Sequence, residues 1–201
     1  ETQQRIKKYY NRNSIVIHPP VDINRFTPAA KRGDHYVTIG RQLPYKRYDL
    51  AVTAATKLGK KLIVFGNGPA HSRLVDLAGP TVEFRTDRFG DASDAEYEKA
   101  ITTARGFIYP AEEDFGIVSV EALAAGAPVI GLARGGTTDI VTSPEVGVLF
   151  DRQTSISVAK AIEQAEKRTF DPTVLRRTAQ RFDKTLFLTK LRKVVRDQMI
   201  K

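Results

Sequence analysis

Apolar positions along this chain follow two alternating periods. Compact apolar runs near residues 35–39, 61–65, 81–84, 107–109, 128–131 and 146–150 read as strands buried on both faces. Between and after them, apolar residues recur three and four apart. They predict helices near 48–58, 70–78 and 91–104, and three more at 155–167, 172–181 and 184–199. Residues 1–11 read as the tail of a helix, and residues 14–18 as a further short strand stopped by Pro19 and Pro20. Strand alternating with helix predicts an α/β fold, an open and mainly parallel sheet with helices on both faces.

The stretch 110–126 is the centre of the pattern. Pro110 stops a strand, and Asp114 is placed to cap a helix. Ile117, Val120, Glu121 and Ala124 then fall at helical spacing before Gly126, Ala127 and Pro128 end it. Glu113 precedes the cap and Glu121 follows eight residues on, roughly 10–12 Å along a helix axis. Between them the amides of Phe115, Gly116 and Ile117 lie at the positive end of the helix dipole, an anion site. Carboxylate, anion hole, carboxylate suits an extended ligand with hydroxyls at its ends and a phosphate between, such as a sugar nucleotide. A surface helix also commonly carries a glutamate, so spacing alone leaves a structural role equally open.

Other candidates follow the strand ends. Gly40 frees the backbone after the strand at 35–39, and Arg41 and Lys46 follow it at the carboxyl end of the sheet, where open α/β folds bind ligands. An arginine fork and a lysine suit a pyrophosphate, although two surface cations in a basic protein explain them as well. Gly66 and Gly68 form a tight turn without the third glycine of a dinucleotide fingerprint. Gly135 and Gly136 permit close backbone approach to a ligand. His18, with no partner at ligand spacing, reads as structural.

Composition narrows the classes. The 201 residues with 41% apolar content suffice for one substantial core. Cysteine is absent, which excludes disulfides and thiolate metal sites and suits a cytoplasmic protein. A net charge of +9 invites a nucleic-acid reading, but the basic residues form short separate clusters and no zinc-finger, RRM or KH signature is present. A solvated basic surface is preferred, with no nucleic acid as partner. No Asp-x-Asp pair that could hold a cation on a diphosphate occurs, so no metal and no cofactor are expected.

Glu113, seven residues, then Glu121, with Phe115 and Gly116 after the first and Ala122 after the second, resembles the donor-site signature of retaining glycosyltransferases of the GT-B fold, the group 1 family. Residues 126–139 continue the match, and it runs from Pro20, Val21 and Asp22 to the last helix. The resemblance implies a Rossmann-like C-terminal half of a GT-B enzyme. Residues 1–26 would lead into it and 27–201 form it, with an N-terminal acceptor domain, and a histidine near the reaction centre, absent from this chain. It implies that Arg41 and Lys46 bind the diphosphate, that Glu113 holds donor-sugar hydroxyls and Glu121 the ribose, and that Arg85 and residues 86–88 contact the base. Thr86 and Asp139 stand where the family usually has glycine and glutamate.

The activity implied is hexose transfer from a nucleotide-diphosphate sugar, GDP-mannose before a UDP-hexose, to a glycan or lipid-linked acceptor in polysaccharide biosynthesis. A peripheral contact at the inner membrane face is a secondary expectation, and the last helix is expected to pack on a core or on another domain. Two alternatives stay open, a non-catalytic nucleotide-binding module and a nucleic-acid-binding domain driven by charge.

Overall fold

The computed structural model of the chain describes residues 2–85 and 94–199. In chain order the elements are α1 (Thr2–Tyr10), β1 (His35–Ile39), α2 (Tyr48–Leu58), β2 (Lys61–Phe65), α3 (His71–Leu77), β3 (Val82–Arg85) and α4 (Asp94–Thr103). Then come β4 (Gly106–Tyr109), α5 (Ile117–Ala124), β5 (Val129–Leu132), α6 (Thr137–Ile140), β6 (Gly147–Phe150), α7 (Ser155–Glu166), α8 (Pro172–Ala179) and α9 (Lys184–Met199). The expected α/β class is the one observed. The expected helix start at 91 lies outside the described residues.

All paired strands are parallel, in the order β3-β2-β1-β4-β5-β6. The first crossovers lay each next strand outward until the connection from β3 returns the chain beside β1, so the order reverses between β1 and β4. Neighbouring residues of a strand point to opposite faces. Val37, Phe107, Tyr109 and Val129 enter one core with Ile101 of α4, Val120 and Leu123 of α5 and Leu175 of α8. Tyr36, Ile108 and Ile130 enter the other with Leu50 and Ala54 of α2 and Val158 and Ile162 of α7. The central strands β4 and β5 are buried along their whole length, which is why they read as unbroken apolar runs.

Two expectations fail. Residues 14–18 form no strand: Ile15 and Val16 stand in solvent, and the nearby pairing is a single bridge from Val21 to Asp183. A short apolar run becomes a strand only where a neighbour offers a hydrogen-bonding edge. Of the two packings expected for the last helix, the one on a core of this chain is not made, since Leu188, Leu191 and Val195 of α9 are all more than a third exposed. The second failure, at the start of α5, belongs to the site.

Candidate functional site

A cleft of about 880 Å³ opens at the carboxyl ends of β1 and β4, where the strand order reverses. Ile39, Gly40, Tyr45, Lys46 and Arg47 form one wall, and Tyr109, Glu113, Phe115, Gly116 and Ile117 the other.

The first wall is built by close backbone approach. Gly40 takes φ of 142°, and a Cβ there would collide with the Tyr48 hydroxyl and come within 3.4 Å of Lys46 Nζ. Tyr48 donates to the Ile39 carbonyl at 2.7 Å, folding the loop back over the strand end. The loop is pinned from below by Gln42, which is fully buried. Its Nε2 donates to the Gly66 carbonyl at 2.6 Å, its Oε1 meets His71 Nδ1 at 2.8 Å, and its amide donates to Asn67 at 2.8 Å. A Cβ on Gly66 would meet the Gly40 carbonyl, and one on Gly68 the Gln42 backbone at 2.7 Å. The turn at 66–68 thus supports the 40–42 loop.

On the second wall, Asp114 does not cap α5. The cap position is Gly116, with φ of 90° and no side-chain bond, and Ser119 is the first residue to donate back, to the Gly116 carbonyl at 2.9 Å. Burying Phe115 turns the chain two residues later than a carboxylate cap would. Asp114 instead lies exposed, 3.5 Å from Arg5. The amides of Gly116 and Ile117 consequently stay without a backbone acceptor among the described residues, as the first turn of a helix requires. Glu113 sits in irregular chain before the helix, so a helical rise does not measure its separation from Glu121.

Glu113 is the hub. Its Oε1 pairs with Lys46 Nζ at 2.9 Å and accepts from Tyr45 at 3.4 Å, and its Oε2 accepts from the Tyr109 hydroxyl. The Lys46 and Glu113 side chains are 17% and 22% exposed, so this pair is shielded more than a surface ion pair. Gly135 and Gly136 do make a close approach, but to this loop: a Cβ on either would overlap the backbone of Glu113 or Phe115, and the Gly136 amide donates to the Glu113 carbonyl at 2.8 Å.

Arg41, Arg85 and Glu121 lie apart from the cleft lining. Arg41 is exposed, with no side-chain partner among the described residues. Arg85 forks onto Glu83 at 2.7 and 3.3 Å and lies over the Phe65 ring. Residues 86–88, expected near the base, lie outside the described residues. Glu121, on the second turn of α5, accepts from Tyr97 at 3.1 Å, and burial pushes its carboxyl above the usual range. Phe115, which lines the cleft, is buried and stacks its ring on His18 at 5.3 Å. Burial lowers His18, with Asp139 pulling it partly back, in keeping with a structural imidazole. Among the described residues no group of three or more metal-ligating side chains occurs, and no helix is long and apolar enough to cross a membrane.

Sequence reasoning missed Gln42, Tyr45, Tyr97 and Tyr109. Tyr45 adjoins Lys46 and Tyr109 precedes Glu113 by four residues, so proximity could have found them; nothing in the sequence links Tyr97 to Glu121. The assembled wall can accept an anion at Lys46 and the helix amides, and hydroxyls at Glu113.

The strand order and the crevice at its reversal define a Rossmann-like domain of the GT-B kind. The chain belongs to the glycosyl transferases group 1 family, whose sequence profile matches residues 22–182. It is 31% identical over 172 residues to the D-inositol 3-phosphate glycosyltransferase of Salinispora arenicola, covering 68% of this chain and 38% of that protein. It is 30% identical over 164 residues to the GDP-mannose-dependent alpha-mannosyltransferase of Mycobacterium tuberculosis, covering 73% of this chain and 42% of that protein. In fold it is similar to the sucrose-phosphate synthase of Thermosynechococcus elongatus, with a TM-score of 0.80 at 22% identity over 100% of this chain and 57% of that one. The chain spans about two fifths of the length of the curated relatives it matches.

Proposed function

We propose that this chain is the donor-binding domain of a retaining, metal-independent hexosyltransferase. It would bind a nucleotide-diphosphate sugar, GDP-mannose before a UDP-hexose, for transfer to a glycan or lipid-linked acceptor presented by a second, N-terminal domain. The observation that carries the reading is the meeting of Lys46, Glu113 and the free amides of α5 at the sheet's switch point. Membership of the family and a relative named for GDP-mannose support the donor class.

In this reading Lys46 and Arg41 take the diphosphate and neutralise charge as it leaves, and the Gly116 and Ile117 amides add hydrogen bonds. Glu113 holds sugar hydroxyls and Glu121 those of the ribose. The acceptor oxygen forms its bond to the anomeric carbon on the face from which the diphosphate departs, and its proton passes to the departing phosphate oxygen. No covalent bond to the protein is needed. The basic, half-apolar α9 supports a peripheral contact with anionic membrane at the cytoplasmic face.

Calorimetric titration with GDP, UDP, ADP and their hexose conjugates, beside an Arg41→Ala/Lys46→Ala variant, tests the reading. Selective binding of one nucleotide, lost in the variant, is expected. Binding of nucleic acid alone, falling steeply with salt, would replace it with a charge-driven function. Failure of every nucleotide and conjugate to bind would overturn it.

A further inference from the structure

Each of the two carboxylates in the proposed donor site is gripped by a buried tyrosine that no part of the reading above uses. Tyr109 closes β4 and is 1% exposed. Its hydroxyl donates to Glu113 Oε2. Its ring stacks on Phe107 at 5.9 Å, and a Cβ on Gly116 would lie 3.0 Å from Tyr109 Cε1, so strand and loop hold the ring from two sides. Tyr97 of α4 is 4% exposed, set edge-on against Phe26 at 6.1 Å and Phe65 at 5.7 Å. Its hydroxyl donates to Glu121 Oε2 at 3.1 Å.

In both pairs the phenol takes one oxygen only. Glu113 Oε1 faces Lys46 and the exposed Tyr45, whose side chains sit on a short turn over the cleft. Glu121 Oε1 has no hydrogen-bond partner among the described residues. We infer that Tyr109 and Tyr97 are positioning residues, each fixing one oxygen of its glutamate so that the other is presented to the donor, Glu113 to the sugar and Glu121 to the ribose. The inference rests on the donor-site reading above.

The physical case has three parts. A ring locked by packing on both sides has little torsional freedom left to lose, so its hydroxyl fixes a carboxylate better than a lysine or water can. A hydrogen bond to an ionised acceptor is among the stronger ones available in a partly dry site. Burial also raises both phenols, keeping them protonated and hence donors. For Glu113 the arrangement solves a specific problem. When a diphosphate draws Lys46 away, the carboxylate loses its cation, and the Tyr109 hydroxyl is the buried donor that stays.

The test is titration of Tyr109→Phe, Tyr97→Phe, Glu113→Ala and Glu121→Ala with GDP-mannose, GDP and 2′,3′-dideoxy-GDP, or the uridine set where UDP binds instead. Each phenylalanine removes one oxygen and keeps the ring. Tyr109→Phe is expected to lower affinity for the sugar conjugate about five- to tenfold while bare nucleotide binds unchanged. Tyr97→Phe is expected to lower affinity for the ribonucleotide by a similar factor while the dideoxy form binds unchanged. If the alanine variants lose these preferences and the phenylalanine variants keep them, the tyrosines do not position and the donor site stands. If the alanine variants keep them too, the donor-site reading and this inference fall together. Equal loss for every ligand, or melting of the phenylalanine variants at the assay temperature, would make the tyrosines structural and overturn the inference alone.

Discussion

Lys46 and Glu113 bind each other in the free protein at 2.9 Å. In the proposed donor site, a phosphate arriving at Lys46 would therefore compete with a carboxylate already there. Glu113→Gln removes the competitor's charge while keeping its shape. The variant is expected to bind bare GDP or UDP about fivefold tighter, from release of an ion pair worth about 1 kcal/mol, and to lose the added affinity for the sugar conjugate. Tighter binding of both, or of neither, in the same titration would contradict this division. Glu121 carries a different cost. Burial raises its native carboxyl above the unfolded value of about 4.3, with Tyr97 and Arg25 offsetting part of the rise. The native state then holds this proton more tightly than the unfolded one, so the contribution of Glu121 to stability is greatest at low pH and falls as pH climbs through its native pKa. Glu121→Gln is expected to melt above the parent at pH 7, with the gap closing below about pH 4; thermal midpoints across that range check it. At this scale motif and spacing marked Glu113, Glu121 and Lys46 as candidates, and folding brings Lys46 against Glu113. The sequence misread Asp114, because whether a carboxylate caps a helix depends on where the chain turns, and burial of Phe115 decided that.

Among elements, α5 is held at both ends. Its start is shaped by Gly116 and by Gly136, against whose missing Cβ the Phe115 backbone lies. Gly136→Ala is expected to cost about 1–3 kcal/mol of stability and to abolish nucleotide binding, as overlap with main chain cannot be relieved by a rotamer change. Its end is held by two cations. Arg32 donates to the Ala104 carbonyl at 2.7 Å and to Ala125 at 3.1 Å, so one guanidinium serves the ends of both α4 and α5. Arg176 donates to Phe26 and, at 3.2 Å, to Ala124. Arg32→Met would leave two carbonyls unpaired and is expected to lower stability by about 1–3 kcal/mol, read as a shift of the denaturant midpoint at constant slope. Helices and core strands were legible because their periodicity is local. The purpose of the glycine pairs was not: each glycine serves a contact with a loop distant in sequence, and those loops became neighbours only on folding.

For the molecule as a whole, the net charge of +9 is spread over the surface, but α9 concentrates Lys184, Lys190, Arg192, Lys193 and Arg196 against one Asp197. Beside them stand Leu188, Leu191, Val195 and Met199, all exposed. Reversing Lys190, Lys193 and Arg196 to glutamate is expected to weaken partition onto phosphatidylserine vesicles by tenfold or more, at about 1 kcal/mol per basic residue, and to leave nucleotide affinity unchanged. Co-sedimentation that the reversals do not alter would remove the membrane contact from the proposal.

The sequence by itself determined the alternation of strands and helices, the parallel sheet, and the segment carrying Glu113 and Glu121, because hydrophobic period and motif spacing are written along the chain. Only the tertiary structure decided that β1 and β4 adjoin and open a cleft between them. It alone paired Lys46 with Glu113 across 67 positions, set Tyr97 and Tyr109 on the two glutamates, and left residues 14–18 without a partner strand. Those outcomes depend on which surfaces meet once the sheet closes around its two cores, and the order of residues does not show that until the chain is folded.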